Sequence, residues 1–166
     1  HETNSRFVAD EIFNKEPSLE PLFGIEQEFF LQKGNQILGF SDGECRPQGN
    51  YYCGTGAENA IGRKVVEDAL NHAIYSGIII TGLNAEVAPS QWEIQVCNYG
   101  IKAGDDLIML RYILNRTAEL YDLSINYHPK PLEGDWNGSG CHVNFSTKEM
   151  RYFNGYPKIL EAIHKL

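Results

Sequence analysis

Long apolar runs are missing from this chain. No stretch approaches the ~20 residues that a membrane-crossing helix needs, and no signal-peptide pattern opens the sequence. Basic clusters are missing as well. Fourteen Lys and Arg stand against 22 Asp and Glu, a formal net charge of -8, and the basic residues form no run. A nucleic acid, whose phosphates need clustered cations, is therefore not an expected partner, and neither is a membrane. Cysteine is scarce: Cys45, Cys53, Cys97 and Cys141 are widely spaced with no C-x-x-C pair. That spacing suggests neither a zinc site nor a disulfide framework, and reduced thiols in a cytoplasmic protein are the expectation. Internal repeats and low-complexity segments are absent. His1 stands where a native chain would begin with Met, so the expectation is a missing N-terminal part, in which a transit peptide would lie.

What is present suits one folded unit. With 166 residues, 42% of them hydrophobic and 22% charged, the chain can bury a sizeable core. Phe7, Val8 and Ile12 fall at roughly helical spacing within Ser5 to Phe13, and Pro17 and Pro21 then interrupt the chain. A second helix is predicted from Ile61 to Ser76, with Val65, Val66, Ala69, Leu70, Ala73 and Ile74 on one broad face and Gly77 as its C-terminal glycine. A third is predicted from Asp105 to Tyr121 with Leu107, Leu110, Ile113, Leu114 and Ala118 as its stripe. Asp105 and Asp106 would sit at its positive end. Ile159, Leu160, Ile163 and Leu166 form a last helical face without a cap, which predicts that the domain continues.

Alternation of period two marks strands at Leu22 to Leu31, Ile78 to Ala88, Gln91 to Val96 and Gly140 to Phe145. Helices and strands alternate, yet hairpin signals are present. The predicted fold class is therefore α+β, a mainly antiparallel sheet with flanking helices.

The chemistry lies on the polar faces of these strands. Strand geometry sends Phe23, Ile25, Phe29 and Leu31 one way and Glu26 and Glu28 the other. Taken alone, such a pair is an ordinary solvated face. Asn84 to Val96 has the composition of a hairpin turning at Pro89-Ser90, which predicts Val87 opposite Trp92 and Glu86 opposite Glu93. Carboxylates so paired stand about 4.5–5.5 Å apart and repel. Solvent screening, protonation of one, or a divalent cation between them would each relieve the repulsion. In the last strand Cys141, Val143 and Phe145 share one face, His142 and Asn144 the other. A single His in a strand is usually a partly buried packing residue, but here its neighbours are polar. Four Glu and one His on apolar-backed strands suit hard divalent ions such as Mg or Mn, whereas zinc would take more His and Cys. Two such ions can hold nucleotide phosphates and neutralise charge in phosphoryl transfer.

Two further features have competing readings. Ser146-Thr147-Lys148-Glu149 is a capping box, with Ser146 as N-cap. Trp136 either stacks on a ligand or plugs the core. Gly54-Thr55-Gly56 lacks the G-K-[ST] ending of a phosphate-binding loop and reads as loop geometry.

Taken in order, Phe23-Gly24-Ile25-Glu26-Gln27-Glu28, then Asn84-Ala85-Glu86-Val87-Ala88-Pro89-Ser90-Gln91-Trp92-Glu93, then Gly134-Asp135-Trp136-Asn137-Gly138-Ser139-Gly140-Cys141-His142-Val143-Asn144-Phe145-Ser146-Thr147 resemble the signatures of eukaryotic-type glutamine synthetases. Arg46-Pro47-Gln48-Gly49, Tyr51-Tyr52-Cys53-Gly54 and Gly62-Arg63 match connecting segments, so the resemblance covers nearly the whole chain. One departure follows Glu93, where Ile94 to Ile101 lacks the family's Gly-Pro step and is about one residue shorter.

The resemblance implies that residues 1–166 are the first part of a catalytic domain, without the family's N-terminal β-grasp domain and without the C-terminal remainder. It implies one metal held by Glu28, Glu86 and Glu93, and another held by Glu26 and His142 with a further Glu beyond Leu166. Glu86 and Glu93 become the catalytic candidates. Asp135, Trp136, Asn137 and Gly138 match a glutamate-binding loop. Glu26, Glu93, Asn144, Phe145 and Ser146 match nucleotide contacts. The implied substrates are ATP, L-glutamate and ammonia, with the γ-phosphoryl passing to the glutamate side chain before ammonia displaces phosphate. Self-association into a ring is also implied, and these residues alone are expected to be inactive. A related γ-glutamyl-amine ligase and a catalytically silent paralogue are the alternatives. Other amine substrates would mark the first, and loss of metal ligands the second.

Overall fold

A computed structural model describes residues 3–40 and 46–166. Its sheet forms around one long strand, β1 (Leu22–Lys33), flanked by β2 (Gln36–Ile37), β3 (Ile80–Ala85), β4 (Gln91–Tyr99), β5 (Ser124–Asn126) and β6 (Cys141–Ser146). Every pairing is antiparallel, as the hairpin signals predict. Phe30 pairs with both Gln91 and Asn126, and Ile25 with both Val96 and Val143. One edge of β1 thus carries β4, continued outward by β3, and the other carries β6 and then β5.

The core lies between one face of this sheet and two helices, α2 (Arg63–Tyr75) and α3 (Ile101–Glu119). Ile25, Phe29 and Leu31 of β1 and Trp92, Ile94 and Val96 of β4 meet Val66, Ala69 and Ala73 of α2 and Leu110, Leu114 and Ala118 of α3. Period two in the strands and period 3.6 in the helices place these side chains in one apolar layer. Gln27, on the same face, is buried and accepts hydrogen bonds from Arg111 of α3 at 2.8 and 2.5 Å. Gly77 follows α2 at φ 83°, where a side chain would be strained, and its N–H donates to the Ile74 carbonyl.

The predicted elements form, with shifts that have local causes. Helix α1 (Ser5–Phe13) is capped by the Asn4 side chain, and its Phe7, Val8 and Ile12 are exposed. Ile74 is also exposed: the buried stripe of α2 runs through Val66, Ala69 and Ala73, and the next residue turns about 100° away. Helix α3 begins at Ile101, four residues before the predicted start, so Asp105 and Asp106 do not cap it. Asp105 instead pairs with Arg6 at 2.7 Å, and buried Asp106 accepts from Asn98 (2.7 Å) and Lys102 (2.8 Å). The short β2 and β5 carry too few residues to show alternation. Helix α4 (Tyr156–Ile163) forms with no buried residue. Cys53, Cys97 and Cys141 are free thiols, while Cys45 lies outside the described residues. Among the described residues, no helix is long and apolar enough to cross a membrane.

Candidate functional site

The sheet face opposite the helices carries the polar residues of four strands in register. Glu28 pairs directly with Glu93, and Glu26 pairs with Gln95 on one side and His142 on the other. Asn84 pairs with Glu93 from the β3 side, and Asn144 lies opposite Gly24. All predicted carboxylates and the imidazole therefore share one surface.

The expected pairing of Glu86 with Glu93 is corrected by the register. Asn84 faces Glu93, and the Glu86 N–H donates instead to the Gln91 carbonyl at 2.8 Å. The turn is centred one residue earlier than predicted, which moves every pairing by two and leaves each side chain on its expected face. The cause is Ser90. Its hydroxyl donates to the carbonyls of Leu38 (2.9 Å) and Leu31 (3.3 Å), and its backbone is left-handed at φ 56°, drawing it toward the β1–β2 connection. Glu86 consequently lies diagonal to Glu93, and Glu28 is the carboxylate that opposes Glu93 directly.

Two groups of ligand atoms result, Glu28 with Glu86 and Glu93, and Glu26 with Glu93 and His142. Within each group the atoms lie within 4.8 Å of one another. Glu93 belongs to both. Glu28, Glu86 and Glu93 are only 8%, 9% and 5% exposed. His142 Nδ1 lies 3.4 Å from Glu26 Oε2 and 4.0 Å from Glu28 Oε1. Burial first, and then the charges of Glu28 and Glu93, push the Glu86 carboxyl above the usual carboxylate range, although Asn84 and the Val87 N–H donate to it. Among the described residues, no Lys or Arg pairs with any of these four Glu. A compact, oxygen-rich set with unneutralised charge fits hard divalent cations, and the single imidazole is too little nitrogen for a typical zinc site.

The segment from β5 to β6 forms the wall of this face. A cavity of about 480 Å³ lies between Glu28, Glu86 and His142 on the sheet and Asn137, Gly138 and Ser139 on the loop. Asn137 accepts a hydrogen bond from Gln48 at 3.2 Å, and Lys130 donates to the carbonyls of Gly134 and Trp136, closing the loop on itself. Trp136 resolves toward packing: its ring meets Phe40 edge-on at 5.0 Å and Tyr51 at 6.2 Å, beside Phe30, Ile37 and Ala88. Asp135 is exposed on the same loop.

On β6, Asn144 donates to Glu26 Oε1 at 2.5 Å, and Phe145 packs on Phe23 at 5.2 Å while half-exposed. The expected capping box does not form. Ser146 ends β6, the following 3₁₀ turn has Lys148 at its N-cap, and the Ser146 hydroxyl accepts from Arg151 at 3.0 Å. A three-residue turn offers no full helical N-terminus for a cap to serve.

Sequence reasoning missed Gln91. Its side chain donates to Glu28 (3.0 Å) and to the Gly138 carbonyl (3.1 Å), and its own oxygen accepts from the Ala88 N–H (3.2 Å). The sequence holds one usable signal, since Gln91 lies at strand parity with Glu93.

Comparisons with known proteins agree with this arrangement. Residues 6–154 match the family model of the glutamine synthetase catalytic domain. The chain is 49% identical over 175 residues to the glutamine synthetase nodule isozyme of Lupinus angustifolius, covering 99% of this chain and 54% of that protein. It is 48% identical over 168 residues to the glutamine synthetase of Agaricus bisporus (99% and 47%) and 47% identical over 169 residues to that of Mus musculus (99% and 45%). The chain thus spans about half the length of the curated relatives it matches. Among solved structures, apo GmaS without ligand matches 86% of this chain and 34% of its own, with TM-score 0.67 at 20% identity, a likeness of fold. By this match and these identities, the chain belongs to the glutamine synthetase catalytic-domain family.

Proposed function

We propose that the protein carrying this chain is a glutamate–ammonia ligase, which uses ATP to join ammonia to L-glutamate. The observation that carries the reading is the pair of ligand groups sharing Glu93 on one acidic face, where Glu28, Glu86 and Glu93 are buried and no Lys or Arg among the described residues neutralises them. A carboxylate resists attack by ammonia until one of its oxygens becomes a good leaving group. Transfer of the ATP γ-phosphoryl to the glutamate side chain makes that leaving group, and attack by ammonia then releases phosphate and gives glutamine. Bound Mg or Mn supplies neutralisation of the phosphoryl charge.

The residues divide the work by position. Glu28, Glu86 and Glu93 would hold one ion, and Glu26, His142 and Glu93 the other, with Glu86 and Glu93 closest to the chemistry. Asn137 and the backbone of Gly138 face the cavity beside this cluster and would orient glutamate, with Asp135 and Trp136 in the same loop. Asn144, Phe145 and Ser146 lead away from Glu26 along β6, where the nucleotide would lie. Family membership supports self-association into a ring, and the free thiols of Cys53, Cys97 and Cys141 support a reducing, cytoplasmic setting.

Phosphate release by the protein expressed from its complete reading frame tests the reading. With ATP, Mg, glutamate and ammonium present, release should need each component and should vanish in Glu86→Ala. Release with other amines but not ammonium would point to a related γ-glutamyl-amine ligase, and no release from a folded, metal-replete protein would contradict ligase activity.

A further inference from the structure

Each of the four clustered carboxylates accepts a hydrogen bond from a side-chain amide. Asn144 donates to Glu26 (2.5 Å), Gln91 to Glu28 (3.0 Å), Asn84 to Glu86 (2.8 Å) and Gln95 to Glu93 (2.6 Å). The amides and acids interleave on the sheet. Asn84 lies on β3 with Glu86 two residues on, just past the strand's end, Gln91, Glu93 and Gln95 alternate along β4, and Asn84 opposes Glu93 as Gln95 opposes Glu26. An ionised carboxylate only accepts, so each amide turns its NH₂ toward it.

Several carboxylates elsewhere among the described residues have a cationic partner. Glu20 pairs with Lys148 (2.5 Å), Asp68 with Lys64 (2.6 Å), Asp105 with Arg6 (2.7 Å), Asp106 with Lys102 (2.8 Å) and Glu161 with Lys165 (2.8 Å). Asp106 takes an amide as well as its Lys, from Asn98 (2.7 Å), whereas the four carboxylates of the acidic face take amides with no Lys or Arg partner among the described residues.

Space is made for this arrangement. A Cβ at Gly82 would lie 2.3 Å from Gln95 Oε1, so only glycine at that position lets the Gln95 side chain lie over β3 and turn back to Glu93. The β3–β4 register is irregular between Ile80 and Gly82, opposite Gln95.

The geometry points to Asn84, Gln91, Gln95 and Asn144 as positioning residues that orient the four carboxylates while leaving their charge intact, so that affinity for divalent ions depends on these amides being uncharged. An ammonium or guanidinium would hold a carboxylate as firmly but would cancel the charge that attracts the ion. An apolar side chain would keep the charge but let the carboxylate turn away from its ligating orientation. Outer partners of this kind set metal affinity by their effect on ligand geometry and basicity.

This inference rests on the metal-binding part of the proposed function, and Mn titration of the protein from its complete reading frame separates the two. Free Mn is followed by its electron paramagnetic resonance signal, and metal-free melting is recorded beside it. The wild type should bind Mn. Gln95→Met, similar in length but without a donor, should weaken binding about 10- to 100-fold. Gln95→Lys should abolish binding and raise the metal-free melting temperature, opposite in sign to general damage. Asn84→Leu supplies an independent variant on β3 and should weaken Mn binding as Gln95→Met does. Variants that bind Mn with wild-type affinity would overturn the inference and leave the ligase reading standing. Lost binding in Gln95→Lys with a lowered metal-free melting temperature would also overturn it. A wild type that binds no Mn would overturn the metal reading itself.

Discussion

Glu28 and Glu93 are direct cross-strand partners on β1 and β4, with Glu28 8% and Glu93 5% exposed. Two like charges about 5 Å apart repel by about 3 kcal/mol at an effective dielectric near 20. Glu93→Gln should therefore stabilise the metal-free protein by roughly 1–2 kcal/mol, after the lost hydrogen bonds of the carboxylate are set against the relieved repulsion. Because Glu93 belongs to both ligand groups, the same variant should lose Mn binding at both, whereas Glu28→Gln should spare the group formed with His142. Urea unfolding with EDTA and with Mn measures both effects.

Glu86 gives a pH dependence with a definite sign. Its folded-state pKa is raised, chiefly by burial and then by Glu28 and Glu93, so the folded protein holds this proton more tightly than the unfolded chain. The resulting stability is fully present below the unfolded pKa and is lost as pH rises through the folded value. In metal-free protein, Glu86→Gln should remove that part of the decline as pH rises above the ordinary carboxylate range. Melting temperature against pH, wild type beside variant, checks this.

Trp136 tests the division between packing and recognition. Trp136→Ala removes the contacts with Phe40 and Tyr51 and should cost about 2–3 kcal/mol, somewhat less than a fully buried aromatic ring. It should also raise the KM for glutamate, because Asn137 and Gly138 follow directly in the chain. Trp136→Phe should restore most of the stability. Chemical denaturation and steady-state kinetics read the two effects separately.

Ser146 offers a contrast of small size. Its hydroxyl accepts from Arg151 and, among the described residues, caps no helix, so Ser146→Ala should cost under about 0.5 kcal/mol, less than the ~1 kcal/mol of a lost N-cap. Thermal unfolding resolves the difference.

Strand parity was legible in the sequence because it depends only on alternation. The separation of Glu26 and Glu28 from Ile25 and Phe29, and of His142 and Asn144 from Val143 and Phe145, follows from the pleat. Register was not legible, because it depends on where Ser90 finds its partners, and those are carbonyls of β1 and of the residues after β2. Helix α3 began early for a similar reason: Asp106, charged and so expected at a solvent-facing helix start, is buried between Asn98 and Lys102. The amides share strand parity with the carboxylates, but parity alone does not say which amide meets which acid. Asn84, Gln91, Gln95 and Asn144 acquire meaning only once four strands lie side by side.

Anomalous diffraction from Mn-soaked crystals of the protein from its complete reading frame tests the central claim most directly. Two anomalous peaks on the sheet face, one within reach of Glu28, Glu86 and Glu93 and the other within reach of Glu26, Glu93 and His142, are the expected result. Peaks elsewhere, or none on this face at saturating Mn, would contradict the account.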